Sequence, residues 1–160
     1  MNIFEFAMEK EKYSEDYYRR LADKSNNKGL ETVFNMLADE EAKHYKIVSD
    51  MKEDIAPELA ETTVLSDAKD VFVKMRESAK SFNFNISQVG LYRKALKIEE
   101  QSRDFYLEKA EEVEEVHKEI FLKLAEEEKK HFFLLENIID FVSRPETWLE
   151  NAEFYHLEQY

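Results

Sequence analysis

The chain has 160 residues, of which 43% are hydrophobic, with a net charge of −13, two Gly, two Pro and no Cys. This length suits one domain with a sizeable core, and the scarcity of Gly and Pro disfavours sheets built on tight turns, so we expect a single all-α domain over residues 1–160. The charge argues against binding to nucleic acid or to an anionic membrane, and the lack of Cys excludes disulfides, thiolate catalysis, Fe–S clusters and four-Cys iron sites.

The first predicted helix covers residues 2–26. Its core-facing stripe follows the alternating four-and-three spacing of an amphipathic helix. The stripe also contains a carboxylate, Glu11, and a phenol, Tyr18, two turns further along. The polar stretch 26–29 predicts the turn that follows.

A second helix is predicted for residues 30–51, and it contains a Glu-x-x-His sequence formed by Glu41 and His44. Helical residues three apart lie on one face, so this carboxylate and imidazole point in the same direction. Both interrupt an otherwise apolar stripe, where a carboxylate without a partner would cost roughly several kcal/mol. A bound cation is the simplest compensation.

The helical pattern weakens over residues 52–87, where Pro57, Thr62 and Thr63 interrupt it. Ser66 is a candidate cap for a short helix over residues 67–81. A connector of this length is what a bundle needs when the chain must return to the opposite end before descending again. We therefore predict a long crossover.

The third helix is predicted to begin near Ser87 and to repeat the first, because Glu99 and Tyr106 take the stripe positions of Glu11 and Tyr18. The chain thus reads as two related helical hairpins.

The fourth helix, predicted for residues 116–142, contains the second Glu-x-x-His sequence, formed by Glu128 and His131. In an antiparallel hairpin, residues equidistant from the turn lie at the same depth. The charged stripe residues of the first hairpin are centred on residues 26–28, where the turn signal lies. Those of the second hairpin are centred on residues 113–115, so we predict a turn there, although no Gly or Pro marks it.

Six side chains should therefore meet at one depth in the bundle. Four carboxylates and two imidazoles match the ligand set of di-iron and di-manganese carboxylate sites, and four carboxylates neutralise two divalent ions. Hard oxygen ligands with one imidazole per metal favour Fe or Mn, although Zn could occupy the same site. The predicted metal ligands are Glu11, Glu41, His44, Glu99, Glu128 and His131.

Tyr18 and Tyr106 are predicted to lie in the core, where a buried hydroxyl needs an acceptor. Two interpretations stay open: core phenols alone, or hydrogen-bond partners of the ligand carboxylates. His117 and His156 lie outside the motifs and are interpreted as surface or terminal contacts. We expect no catalytic side chain beyond the metal ligands.

These patterns resemble the ferritin-like superfamily, and specifically its rubrerythrin branch. The resemblance covers nearly all of the bundle. It rests on the two Glu-x-x-His sequences and on an Ala-x3-Glu-x6-Tyr pattern that occurs twice. The first copy is Ala7, Glu11 and Tyr18, and the second is Ala95, Glu99 and Tyr106. It implies a ferritin-like four-helix bundle of two hairpins joined by the crossover 52–87, within residues 1–143.

The resemblance also implies roles for the six candidate ligands. Glu11 and Glu99 would be terminal ligands, Glu41 and Glu128 would bridge two Fe ions, and His44 and His131 would each bind one iron. Many rubrerythrins have a further ligand Glu at the position of Ser102, and they usually carry a rubredoxin module, which a chain without Cys cannot contain. Electrons would then come from a separate donor protein.

The implied function is that of a di-iron oxidoreductase which reduces hydrogen peroxide or dioxygen, with a role in oxidative stress. An iron-oxidising, iron-handling protein is the alternative, and a metal-free helical interaction module is a third class. Because the chain has no apolar run of 18 residues and its first residues do not resemble a signal peptide, we expect a cytoplasmic protein.

The tail 144–160, with Trp148, Phe154 and Tyr155, is predicted to form a short helix that packs on its own bundle or on a second subunit. Proteins of the rubrerythrin type are commonly dimers, so the resemblance favours a homodimer.

Overall fold

A computed structural model describes residues 1–78 and 86–145 of the chain. In these residues all of the regular secondary structure is helical, which confirms the predicted all-α class and is consistent with a ferritin-like bundle. The elements are α1 (Ile3–Lys24), α2 (Lys28–Lys52), α3 (Val64–Ser78), a 3₁₀ turn (Ile86–Gln88), α4 (Val89–Lys109) and α5 (Glu115–Ser143).

The first hairpin turns where the sequence indicates. Asn27 caps α2, because its side-chain oxygen accepts a hydrogen bond of 2.9 Å from the backbone N–H of Leu30. Asn2 caps α1 in the same way, with a bond of 2.8 Å from the N–H of Glu5. Such caps satisfy the backbone donors that the first helical turn leaves without partners.

The second hairpin turns without glycine, over residues 110–114, which overlaps the predicted position. The backbone N–H of Glu112 donates to the carbonyl of Lys109, so the chain continues to turn just past the end of α4. The extended backbone of Glu114, with φ of −62° and ψ of 153°, then separates the two helices. Ordinary residues adopt these angles, which explains why no Gly was needed.

The crossover begins differently from the prediction. Helix α3 starts at Val64, three residues before the predicted start at Asp67, and Ser66 is not its cap. The hydroxyl of Thr62 accepts a bond of 3.1 Å from the N–H of Val64, and the carbonyl of Thr63 accepts from the N–H of Asp67. The two threonines, interpreted as helix breakers, therefore supply the contacts that begin the helix.

Two apolar clusters fill the bundle and leave a polar layer between them. One cluster contains Leu21, Phe34 and Leu135, and crossover helix α3 packs against it through Phe72. The other contains Ala7, Ile47, Met51, Tyr106 and Phe121. On each long helix the predicted ligands fall in sequence between residues of the two clusters, so apolar side chains flank them along the helix on both sides.

The predicted C-terminal helix, including Trp148, Phe154 and Tyr155, lies outside the described residues, as does His156. Among the helices that are described, none combines the length and the apolar character needed to cross a bilayer.

Docking of α3 onto the bundle can be tested at Phe72, which is fully buried and contacts the ring of Phe141 edge-on at 5.3 Å between centroids. Phe72→Ala should lower the free energy of unfolding by about 3–5 kcal/mol, because it leaves a cavity in the core. Exposed Glu77 on the same helix is the control, and Glu77→Ala should change stability by less than about 0.5 kcal/mol. Denaturant unfolding measures both. Equal effects would show that α3 does not pack on the core.

Candidate metal centre

Each of the four long helices contributes to one buried polar cluster. Helices α2 and α5 each supply a carboxylate and an imidazole, while α1 and α4 each supply one carboxylate. All six side chains are at most 1% exposed, although they are ionisable: Glu11, Glu41, His44, Glu99, Glu128 and His131. The structure therefore brings together every residue that the sequence predicts as a ligand.

The potential ligand atoms form two overlapping groups. Within each group, one atom from each residue lies within 4.8 Å of the others: Glu11, Glu41, His44 and Glu128 form the first, and Glu41, Glu99, Glu128 and His131 form the second. Glu41 and Glu128 belong to both groups, which is the placement that bridging carboxylates need. Each group also has one imidazole and one carboxylate of its own. Binding of a metal by these residues stays a prediction.

The inward-facing atoms have no hydrogen-bond partners in the described structure. Both carboxylate oxygens of Glu41 and of Glu128 are unpartnered, and so is Nδ1 of His44. This nitrogen lies 2.8 Å from Oε1 of Glu128, an ion-pair distance when His44 is protonated, but the two do not have the geometry of a hydrogen bond. Buried polar atoms are rarely left in this state, because desolvation without a partner is costly. Two divalent cations bound by these atoms would remove the cost, so the residues present fit a di-metal centre.

Comparison with known protein families agrees with this geometry. The family model for rubrerythrin matches residues 2–138 and, in a second placement, residues 91–155.

The chain belongs to the rubrerythrin family.

Proteins of this family typically bind iron, and the oxygen-rich donor set suits that metal. A search of curated proteins and a search of solved structures each find no match.

In the buried cluster of this rubrerythrin-family protein, burial and repulsion between the carboxylates determine which groups bind protons. Burial raises the pKa of Glu41 well above its ordinary value, and the charges of Glu11 and Glu128 raise it further. Glu128 behaves in the same way, because of burial and the charge of Glu99. For Glu11 the effect of burial is outweighed by His44, which lowers its pKa. Without metal, Glu41 and Glu128 therefore keep their protons to higher pH than an ordinary glutamate does.

For the two histidines, burial and the neighbouring carboxylates act on the pKa in opposite directions. Burial alone would lower the pKa of His44, but the charge of Glu11 and the contacts with Glu127 and Glu128 raise it well above its ordinary value. The pKa of His131 is likewise raised, mainly by Glu99 and by contact with Glu40, against the effect of burial. Protonated imidazoles thus offset part of the negative charge that a metal would otherwise balance.

Tyr18 and Tyr106 contact two of the predicted ligand carboxylates across the bundle. The hydroxyl of Tyr18, on α1, donates a bond of 2.5 Å to Oε1 of Glu99 on α4. The hydroxyl of Tyr106, on α4, donates a bond of 2.6 Å to Oε1 of Glu11 on α1. Burial and the neighbouring carboxylates raise the pKa of both phenols well above the ordinary value, so each keeps its proton as a donor. Each bond leaves the second oxygen of its carboxylate free of hydrogen bonds.

Two further carboxylates, which the sequence analysis missed, contact the outer nitrogens of the histidines. Nε2 of His44 lies 2.8 Å from Oε1 of Glu127, and Nε2 of His131 lies 3.5 Å from Oε1 of Glu40. A carboxylate only accepts hydrogen bonds, so Nε2 of His44 carries the proton and Nδ1, when neutral, presents a lone pair to the cluster. Contacts of this kind orient histidine ligands in metalloproteins.

A signal for these two residues was present in the sequence. Each directly precedes the Glu of a Glu-x-x-His sequence, so the repeated unit is Glu-Glu-x-x-His at Glu40 and again at Glu127. On its own helix each points away from the ligand stripe, and only the packing of α2 beside α5 directs it to the other helix's histidine.

The crossover also reaches this outer layer on one side. The hydroxyl of Thr62 donates a hydrogen bond to Oε1 of Glu40. Although burial alone would raise the pKa of Glu40, its contacts with His131 and Thr62 lower the value to about 2. Glu40 therefore stays ionised beside His131. The remaining described histidine, His117, contacts the ring of Phe4 at 5.2 Å between centroids and takes no part in the cluster.

The outer carboxylates yield a test of metal affinity. Glu127→Gln should weaken binding about 10–100-fold, because the amide can present its NH₂ group to Nε2 and no longer selects the tautomer that leaves Nδ1 free. Exposed Glu126 offers a matched control at the next position, and Glu126→Gln should leave affinity unchanged. Titration of metal-free protein with Mn²⁺, followed by electron paramagnetic resonance, measures both. Equal affinities in the two variants would show that Glu127 does not position His44.

The raised pKa values predict how the metal-free protein responds to pH. A folded-state pKa above the unfolded value means that the folded chain binds more protons, so stability falls as pH rises. For Glu41 and Glu128 this fall begins near pH 4.5, and for the histidines it begins near pH 6.5. Because the pKa of Glu11 is lowered, Glu11 affects stability only below about pH 4.5, where its contribution makes stability rise with pH.

Above about pH 5, the free energy of unfolding should therefore decrease by about 1.4 kcal/mol per pH unit for each extra proton held. Thermal melts of metal-free Glu41→Gln should show a flatter pH dependence than those of Glu126→Gln. If both variants retain the same slope as the unmodified protein, Glu41 does not lie in a crowded carboxylate cluster.

Proposed function

We propose that this protein is a di-iron oxidoreductase that reduces hydrogen peroxide or dioxygen with electrons from a separate donor protein. The single observation that supports this most strongly is the pair of ligand groups that share Glu41 and Glu128, each with its own histidine. Family membership supports iron as the resident metal. The substrate and the donor belong to the proposal alone.

The reaction balances with the parts that the proposal names. Reduction of one hydrogen peroxide to two waters takes two electrons and two protons. Two ferrous ions, when bound, supply the two electrons, and the donor protein restores them. These 160 residues contain no Cys and cannot form a four-Cys iron site, so the proposal assigns the supply of electrons to a separate donor protein.

The side chains of this chain would provide binding, orientation and exclusion of water. The four carboxylates and the two Nδ1 atoms would hold the metals. The phenols of Tyr18 and Tyr106 would fix one oxygen each of Glu99 and Glu11, so that the other oxygen is directed to a metal. Apolar residues on both sides of the cluster limit access of water, which strengthens electrostatic interactions inside.

The proposal predicts catalytic consumption of peroxide. Diferrous protein mixed with stoichiometric peroxide should be oxidised faster than with dioxygen, as followed by stopped-flow absorbance in the near ultraviolet. With a supplied reductant, peroxide should then be consumed over many turnovers without accumulation of ferric mineral. Glu128→Ala should lower the rate at least about 100-fold, since it removes a carboxylate shared by both ligand groups, whereas exposed Glu126→Ala should not change it.

Faster oxidation by dioxygen, together with continued turnover of added ferrous iron, would contradict peroxide reduction and support the iron-oxidising alternative. No oxidation by either oxidant would contradict both.

A further inference from the structure

A cavity of about 290 Å³ lies between α1 and α4. Its lining runs from exposed residues, including Phe6, Tyr13 and Gln101, to two buried hydroxyls, Ser14 and Ser102. Ser14 is 1% exposed and Ser102 is 4% exposed. The cavity is therefore open to solvent at one end and reaches the interior of the bundle at the other.

The serines at the inner end of this cavity lie close in sequence to two of the predicted metal ligands. Ser14 follows Glu11 by three residues on α1, and Ser102 follows Glu99 by three residues on α4. Helical residues at this spacing lie on one face, about one turn apart. The two serines thus lie one turn along their helices from Glu11 and Glu99, the two carboxylates that each belong to a single ligand group.

The hydroxyl of Ser14 has no hydrogen-bond partner among the described residues. A buried serine within a helix can bond to the carbonyl four residues earlier, but Ser14 does not. A buried polar group without a partner indicates that something absent from the protein chain completes it. Because Ser14 lines the cavity, water or another small molecule that enters there can supply this partner.

Charge and shape restrict which molecules suit the cavity. Phe6, Tyr13 and Ile98 give it apolar walls, and the single acidic residue in its lining, Glu9, is balanced by Lys10. The lining has no net charge to attract an ion. A volume of about 290 Å³ easily admits a molecule of two heavy atoms, since one water occupies about 30 Å³ of liquid.

A second cavity, of about 530 Å³, lies between the crossover and α2, but it differs at its inner end. Glu40 and Glu127 line it, and both already contact the outer nitrogens of the histidines. These carboxylates and imidazoles stand between that cavity and the inward-facing ligand atoms. Its lining also includes the acidic residues Asp50, Glu58 and Glu61.

We propose that the cavity between α1 and α4 is the route by which a small neutral oxidant reaches the ligand cluster, and that the Ser14 hydroxyl hydrogen-bonds this molecule at the inner end. The inference rests on the proposed function, whose substrate it specifies. Hydrogen peroxide both donates and accepts hydrogen bonds, whereas dioxygen is a poor acceptor and no donor. Ser14 therefore favours peroxide.

The lack of Cys permits a test of access that needs no metal and no activity. Ser14→Cys places a single, nearly isosteric thiol at the inner end of the cavity, and Ala22→Cys places one on the same helix in the apolar core, where Ala22 is 2% exposed. Metal-free forms of both variants are treated with iodoacetamide, a small neutral reagent, and followed by intact mass. The thiol at residue 14 should react at least tenfold faster. Equal rates in variants of equal stability would overturn the access route.

A second test uses the diferrous protein. Ser14→Leu should fill the inner end and slow oxidation by peroxide at least tenfold, while the iron content per chain is unchanged. Ala60→Leu, in the lining of the second cavity, is the matched control and should react like the unmodified protein. The opposite pattern, or no effect of Ser14→Leu, would overturn the proposal.

If Ser14→Leu does not fold, Ser14→Ala replaces it. Loss of one neutral hydrogen bond should lower the peroxide rate about two- to tenfold and leave the dioxygen rate unchanged. An equal change in both rates would contradict the role of the hydroxyl. If the unmodified protein does not react with peroxide at all, the proposed function fails, and the alkylation rates still decide whether the cavity gives small molecules access to residue 14.

Discussion

The structure depends on the burial of four carboxylates and two imidazoles at the centre of an apolar bundle. Removing unpaired charges from water is among the most unfavourable steps a protein can take, and replacement of such groups by apolar side chains is often neutral or stabilising. A cluster of this kind is therefore poorly explained by stability alone. Metal binding would explain it, because two divalent cations would balance four carboxylates and satisfy the atoms that the protein leaves without partners. In the metal-free protein, the carboxylates and imidazoles whose pKa values are raised bind protons, and these protons partly replace the positive charge of the metals.

The internal repeat determines how the cluster is supported. Each contact made by one hairpin has a counterpart made by the other, so Tyr18 binds Glu99 while Tyr106 binds Glu11. The contacts of Glu40 and Glu127 with the histidines follow the same rule. All of these contacts run between helices rather than within one, and the cluster therefore also fixes how the two hairpins pack. The equivalence is not complete, because Thr62 from the crossover bonds only to Glu40.

The sequence was sufficient to predict the four long helices and the six clustered side chains, because stripe spacing and the depth of residues in a hairpin follow from helix geometry. It was insufficient where packing between helices decides the contact. From the sequence alone, Glu127 lies outside the ligand stripe of its helix. Its contact with His44 forms only because α2 packs beside α5. The start of α3 was misjudged for a related reason, since Thr62 serves both as a cap and as a partner of Glu40. Small side chains at Ser14 and Ser102 likewise gave no indication of a cavity until α1 and α4 were placed together.

The central claim is that this buried cluster holds two metal ions, each with one histidine. Crystals of protein prepared with Fe²⁺ under anaerobic conditions, with diffraction data collected on both sides of the iron absorption edge, test it most directly. The account predicts two anomalous peaks per chain, each beside Nδ1 of one histidine and both flanked by the carboxylates of Glu41 and Glu128. A single peak, peaks elsewhere on the acidic surface, or no peak at full iron supplementation would contradict it.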